Sequence, residues 1–474
     1  IALNSLPAAM TPDLKALHYL TAANMIQLDR KNKSPGLQNG GTMLSYSPYA
    51  VYRCCQHNHG MGWPYYAEEL WLATADRGLC ASLYAASRVT ARVGDGTEVR
   101  ISQQTDYPFA DSVALVLRTP KAVRFPLYLR VPRWARAATV QVNGRDLDVR
   151  AEPLSYLVVE RTWNDGDRVV LRLPMHVSVR KWAKNKDSVS VDYGPLTLAL
   201  KIGERWVRYG GSQSWPEQEV FPSTPWNYGL VLDPQDPARS LDVLRKEGPL
   251  ADQPFTPESA PLTVRARARR IPAWQQDRLG LVGLLQQSPA RSAEPDETIT
   301  LIPMGAARLR IASFPTIGDG PEAHDWIAPP KPVRAPYKAT ASHVWGGDSA
   351  EAMCDGLEPK SSNDQDIPRM TWWDHRGTKE WVQYDFDQPR ACRAAAVYWF
   401  DDRGQGECRV PRSWQLFSKD GDAWKPVEAT SAYGTQLNAY NRVTFKPVTT
   451  RALRIEVQLQ PAFSAGILQW KMEP

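Results

Sequence analysis

A chain of 474 residues is longer than one compact domain and leaves room for roughly two to four. Its apolar share of 43% is ordinary for a globular protein, and Lys plus Arg exceed Asp plus Glu by six, 57 against 51. So small an excess, with no run of five basic residues and no apolar run near the roughly 18 of a bilayer span, argues against nucleic-acid and membrane partners. The 18 tryptophans stand out. They serve either as sandwich-core packing or as flat faces for sugar rings, and composition leaves both open.

The chain opens I-A-L-N-S-L-P, without an initiator Met or a signal peptide, and reads as a piece of a longer polypeptide. Residues 11 to 31 predict a helix. Thr11 is an N-cap with Pro12 at the first helical position, and Leu14, Leu17, Thr21, Met25 and Leu28 recur at helical spacing. A loop rich in Gly, Asn and Ser follows, and a second helix is predicted from about Pro64 to Ala75. Two helices cannot enclose a core, so residues 1–77 read as the tail of an α-helical domain.

From Gly78 to about Val207 the pattern changes to period two, as in T-E-V-R-I-S-Q, S-V-A-L-V-L-R and D-R-V-V-L-R-L, with turn signals V-N-G-R and N-D-G-D between runs. This predicts an antiparallel β-sandwich region over 78–327. Residues from 208 to about 262 are rich in Pro, Trp and Asp, alternate little, and read as an irregular excursion. Strand pattern returns at L-T-V-R-A-R-A-R-R-I-P and T-I-T-L-I-P-M-G-A-A-R-L-R-I-A-S-F-P, which are expected to complete the same sandwich. A-P-P-K-P-V-R-A-P, residues 328–336, is a proline-stiffened linker. A second all-β module occupies 337–474.

The six cysteines are Cys54, Cys55, Cys80, Cys354, Cys392 and Cys408, too sparse for a disulfide scaffold. A Cys392–Cys408 bridge is compatible with export, and spacing alone does not establish it. Cys54 and Cys55 are adjacent, in R-C-C-Q-H-N. A bridge between neighbours is strained and rare. Two buried apolar thiols, a metal-ligating pair and a thiolate nucleophile all stay open. The pair is expected on the loop before a helix start, where the backbone favours negative sulfur. His57 and His59 could add nitrogen ligands, but C-C-x-H-x-H is not a standard zinc spacing. Cys80 begins a strand and reads as core.

Y-R-C-C-Q-H-N, Y-Y-A-E-E-L-W, G-L-C-A-S-L-Y, I-S-Q-Q-T-D-Y-P-F, L-R-V-P-R-W-A, Y-G-P-L-T-L-A-L and A-R-R-I-P-A-W occur in an order that resembles glycoside hydrolase family 127, the β-L-arabinofuranosidase type, over roughly residues 10–315. The resemblance implies the tail of an (α/α)6 catalytic barrel followed by β-sandwich domains. It implies a retaining mechanism in which Cys54 is the nucleophile and Cys54 and Cys55 together ligate zinc, with Asn58 matching the motif. His57, Asn58, His59 and Trp63 are candidate substrate contacts. The family's E-x-C zinc ligands and its acid/base Glu lie upstream of the cysteine pair. No E-x-C precedes the pair here, and no glutamate precedes Glu68. The chain is therefore expected to need a missing N-terminal part of the same polypeptide and to be inactive alone.

In the last module, C-D-G-L-E-P, T-W-W-D, E-W-V-Q-Y-D-F, V-P-R-S-W-Q-L-F-S-K-D-G-D-A-W-K-P-V and L-R-I-E-V resemble the discoidin-like, coagulation factor 5/8 type C family, shared with galactose-type carbohydrate-binding modules. The resemblance implies a jelly-roll β-sandwich. Trp372, Trp373 and His375 are candidate sugar contacts, with core or rim packing as the competing account. Asp355 and Gly356 match a loop that often holds structural calcium. The fold class is thus mainly β with an α-helical N-terminal remnant. The leading function is an exported hydrolase, periplasmic or extracellular, that releases terminal L-arabinofuranose or a related furanoside from plant-type glycans. The alternatives are a non-catalytic carbohydrate-binding or scaffolding fragment, and an unrelated zinc-thiolate structural protein.

Overall fold

The computed structural model describes residues 2–19, 22–31, 44–49, 53–149, 151–277, 280–328 and 337–474. The chain divides into two compact units, one of residues 1–30 and 42–328, the other of residues 31–41 and 329–474. The proline-stiffened linker, Ala328 apart, lies outside the described residues.

The clearest sequence signal, the period-two region, forms a sandwich of two sheets as far as Arg172. Its first sheet has four strands in the order Ser155–Trp163, Val123–Val131, Leu79–Ala81, Trp71–Ala73. The second has six, in the order Ser87–Val93, Thr97–Gln104, Ser112–Arg118, Arg168–Arg172, Thr139–Val142, Arg145–Asp146. Alternation sends one face of each strand inward: Val99 and Ile101 from one sheet meet Leu127, Leu129 and Val159 from the other in a shared core. Cys80 is buried in this unit, as expected. Asn143 and Gly144, both at positive φ, make the V-N-G-R hairpin turn. Trp163 is fully buried, and its indole N–H donates to Phe125 O at 2.9 Å.

The later strands do not complete this sandwich. Leu262–Arg270 and Asp296–Pro303 join Val177–Trp182, Ser188–Tyr193, Leu196–Leu200 and Tyr228–Leu230 in a separate seven-stranded sheet, with Leu241–Arg245 paired to Leu262–Arg270. The supposed excursion supplies two of these strands and most of a hairpin, Glu204–Gly211 with Pro216–Pro222. Its strand signal was invisible because nearly every side chain of the hairpin is half-buried on both faces, so polar and apolar residues do not alternate.

The helix predicted over residues 11–31 does not form. Thr11 does cap a turn, its hydroxyl accepting from Lys15 N at 3.2 Å and Ala16 N at 3.1 Å, but Leu14 takes φ 60° and the chain leaves helical geometry. Asn24–Met25 pairs instead with Arg310–Ile311. The reason is tertiary. Arg308 Nε takes Met10 O at 2.7 Å and Arg310 Nε takes Ala22 O at 2.8 Å, so the second of these occupies a carbonyl that a helix would keep for itself. Two helices are described, α1 at Ser5–Ala8 and α2 at Arg53–Glu68. The second starts well before Pro64 and contains it. Gly60, Gly62 and Pro64 read as breakers, but a Cβ on Gly62 would meet Leu6 Cδ1 at 3.2 Å, so a glycine lets α1 approach. Trp71–Ala73, expected as helix, is the edge strand beside Leu79–Ala81.

In the C-terminal unit, Lys379–Phe400 and Tyr440–Gln458 are long antiparallel strands that bend at irregular pairings around Asp385–Arg390 and Cys392–Ala394. Tyr337–Ala341, Ser413–Asp420, Ala423–Pro426, Met370–Thr371 and Gly466–Glu473 complete the sheet around them. Trp372, Trp399, Trp414, Trp470 and Tyr384 fill an independent core, where Tyr384 stacks on Trp470 at 3.9 Å. Residues 337–474 made alone should therefore melt in one cooperative transition, checked by circular dichroism and calorimetry; a polypeptide without a transition contradicts the boundary. In the full chain, Trp163→Ala should destabilise the first unit by about 3–5 kcal/mol in denaturant titration.

Candidate functional site

Cys54 lies in the first turn of α2, inside the helix and not on a loop before it. It is exposed and makes no disulfide. Cys55 takes the next helical position, and its side chain lies outside the described residues. The first turn of a helix leaves backbone N–H groups without intrahelical acceptors and so favours anionic groups beside it. Asn58 Nδ2 donates to Cys54 O at 2.7 Å, one turn on, and Gln56 Nε2 donates to Tyr49 O at 2.6 Å. Asn58 thus braces the turn that carries Cys54. His59 Nε2 bonds Leu6 O at 3.0 Å, which ties α2 to α1, and its ring meets Trp63 edge-on at 6.2 Å. His57 is exposed, and Trp63 is 38% exposed. No described side chain of α2 is buried, although Met61 and Tyr65 are large and apolar. Tyr66 Oη donates to Tyr84 O at 3.2 Å and fastens the far end of α2 to the first sandwich.

The remaining thiols differ. Cys80, Cys392 and Cys408 are buried, Cys354 is half-buried, and all four are reduced, so no Cys392–Cys408 bridge exists. Burial pushes the thiols of Cys80 and Cys392 up, that of Cys354 to about 11 and that of Cys408 to about 12. Among the described residues, no group of three His, Cys, Asp or Glu is placed to hold a metal ion. Asp355, in the supposed calcium loop, braces its own turn: Oδ1 accepts from Leu357 N at 2.9 Å and from Gln469 Nε2.

The C-terminal unit gathers a second group of candidates. Trp372 is not a contact residue: it is fully buried in the core. The two tryptophans follow the short strand Met370–Thr371 and are buried to different extents, which the sequence does not show. Trp373 is half-buried, and the Arg376 guanidinium lies 4.9 Å over its ring. His375 stacks on His343 with ring centroids 4.0 Å apart, and His343 Nε2 bonds Trp373 O at 2.7 Å. His375 Nδ1 bonds Glu380 Oε1 at 2.7 Å. Burial works to raise the Glu380 carboxyl, but hydrogen bonds from Ser342, Thr378 and His375 outweigh it and hold the group low. His343 lies 32 positions from His375, and nothing in the sequence singles it out.

With iodoacetamide near pH 8, Cys54 should be alkylated well before Cys80, Cys392 and Cys408, as read by peptide mass spectrometry. Trp372→Ala should cost the C-terminal unit about 3–5 kcal/mol while Trp373→Ala costs under about 1 kcal/mol in thermal melts.

Residues 78–175 match the family model described as "Beta-L-arabinofuranosidase, GH127 middle domain". A solved structure described as "Glycoside hydrolase" is 22% identical, with TM-score 0.46 over 67% of this chain and 47% of its own. A GH127 β-L-arabinofuranosidase of Geobacillus stearothermophilus T6 is also 22% identical, with TM-score 0.43 over 66% of this chain and 43% of its own. The family 32 carbohydrate-binding module of C. perfringens NanJ, solved with galactose, is 16% identical, with TM-score 0.24 over 30% of this chain and 97% of its own. The chain spans under half the length of the two hydrolases.

Proposed function

We propose, from the GH127 middle domain at residues 78–175, that the chain is the C-terminal part of a retaining glycoside hydrolase that releases terminal L-arabinofuranose or a related furanoside from a glycan. The family match carries the reading, and the exposed Cys54 at the start of α2 is consistent with it. The exposed Met61, Trp63 and Tyr65 suit a helix that packs against further helices of the same polypeptide.

In this reading the Cys54 sulfur attacks the anomeric carbon. The C–S bond forms as the glycosidic C–O bond breaks, and the departing oxygen takes a proton from an acid outside this chain. Water then displaces the sulfur, its proton leaves to the same group, and two inversions retain the configuration. Asn58 keeps the turn in place. The family resemblance assigns zinc to Cys54 and Cys55. Two cysteines supply at most two of four tetrahedral positions, and the described residues add no third ligand, so no step here is routed through a metal.

The cluster of His343, Trp373, His375 and Arg376 favours a sugar-binding role for the C-terminal unit beside this catalysis.

The test is hydrolysis of an aryl β-L-arabinofuranoside by the longer polypeptide, with and without Cys54→Ala. The substitution should lower kcat by on the order of 10³-fold or more with the melting temperature unchanged. Full activity in the variant sinks the assignment of Cys54.

A further inference from the structure

We propose that the cleft between α2 and the first sandwich is a carboxylate-binding subsite built on Arg130, which takes a uronate residue of an acidic glycan. The cleft has a volume of about 270 Å3 and is lined by Tyr66, Tyr84, Tyr107 and Arg130, with Leu3 and Asn4 from the N-terminal segment. That volume lies just under the roughly 300–1,000 Å3 of sites for drug-sized ligands, and suits a single sugar ring. Tyr66 follows Cys54 by twelve positions, about 18 Å along the helix, so this subsite is separate from the nucleophile.

Arg130 lies in strand Val123–Val131, where its Nε donates to Ser82 O. That bond fixes the plane of the guanidinium and leaves its terminal nitrogens for a ligand. The walls are set by linked tyrosines. Tyr84 Oη donates to Arg130 O at 2.6 Å, Tyr66 Oη donates to Tyr84 O at 3.2 Å, and Tyr107 meets the Tyr84 ring edge-on at 5.8 Å. Burial pushes all three phenols up, against the pull of Arg130, and with the hydroxyls of Tyr66 and Tyr84 spent on backbone carbonyls, Tyr107 is the phenol left to donate. No Asp or Glu lines the cleft. A fixed guanidinium among apolar ring faces, with no counter-ion in the wall, is matched by a carboxylate, which it can hold with two parallel hydrogen bonds. The tyrosine faces then cover the C–H side of the ring that bears it. The carboxylate rests on the cleft alone; the choice of a uronate over other carboxylates rests on the glycan reading above.

Isothermal titration of the 474-residue chain with D-galacturonate, galactose and acetate tests this. Galacturonate should bind saturably, with galactose and acetate each roughly tenfold weaker or more. Arg130→Gln should weaken galacturonate by at least about tenfold, and Tyr107→Phe by about threefold with an unchanged melt, which covers the case in which R130Q does not fold. Three results overturn the proposal: no saturable galacturonate binding up to about 20 mM, undiminished affinity in folded R130Q and Y107F, or acetate binding as well as galacturonate. The readout is binding, so failure here and failure of the arabinofuranosidase assay are told apart.

Discussion

Two buried guanidinium groups hold the first unit together at its N-terminal end. Arg308 and Arg310 are both fully buried, and burial pushes both down, Arg310 to about 10, so each stays charged at neutral pH. Burying such ions costs several kcal/mol apiece, and the cost is offset only where their hydrogen bonds are complete. Arg308 reaches Met10, Phe255 and Ala306 carbonyls through Nε and Nη1, with its Nη2 unpartnered among the described residues, and Arg310 reaches the carbonyls of Ala22, Ala307 and Arg308. Charge-assisted bonds of this kind contribute about 1.5–3 kcal/mol each. Glu204, whose carboxyl burial pushes up, accepts the Arg308 and Leu309 backbone N–H groups at 3.2 and 3.4 Å and supplies nearby negative charge.

What these arginines hold reaches as far as the cysteine pair. Met10 and Ala22 are fixed to the segment that follows strand Asp296–Pro303 of the seven-stranded sheet, and Asn4 is fixed to that sheet through Pro195 O at 3.0 Å and Thr197 N at 2.9 Å. Leu6, between them, receives His59 and sits against Gly62 of α2. The other end of α2 rests on the first sandwich through Tyr66. Cys54 is therefore presented by a helix anchored at two points, on α1 through Leu6 and on the first sandwich through Tyr66. Such a mount suits a nucleophile, whose aim depends on its support more than on its immediate contacts.

The parts legible in the sequence were those where one face is wet and the other dry. Strands such as Thr97–Gln104 and Arg168–Arg172 alternate cleanly, and the C-terminal strands follow their motifs. Legibility failed where tertiary contacts overrode local preference. Leu14, Leu17, Met25 and Leu28 keep helical spacing, yet Leu14 is 51% exposed and Met25 pairs in a strand, because Arg308 and Arg310 claim the backbone around them. The 204–222 hairpin failed for the opposite reason, since it lacks a dry face. Among the candidate site residues, Cys54 stands out in the sequence by its chemistry and its neighbour, and its place at the start of α2 comes only from the structure. Trp372 and Trp373 are told apart only by burial just past the strand Met370–Thr371, and Arg130 is one strand arginine among several apart from the cleft beside it.

The central claim is that the sulfur of Cys54 is the atom that bonds to sugar. Its most direct test is to trap the intermediate in the longer polypeptide with an activated fluorinated arabinofuranoside and map the adduct by peptide mass spectrometry. The account predicts one pentosyl-type adduct on the peptide containing Cys54, released slowly by water and absent after Cys54→Ser. An adduct on a carboxylate residue, with the Cys54 peptide unmodified, would contradict it.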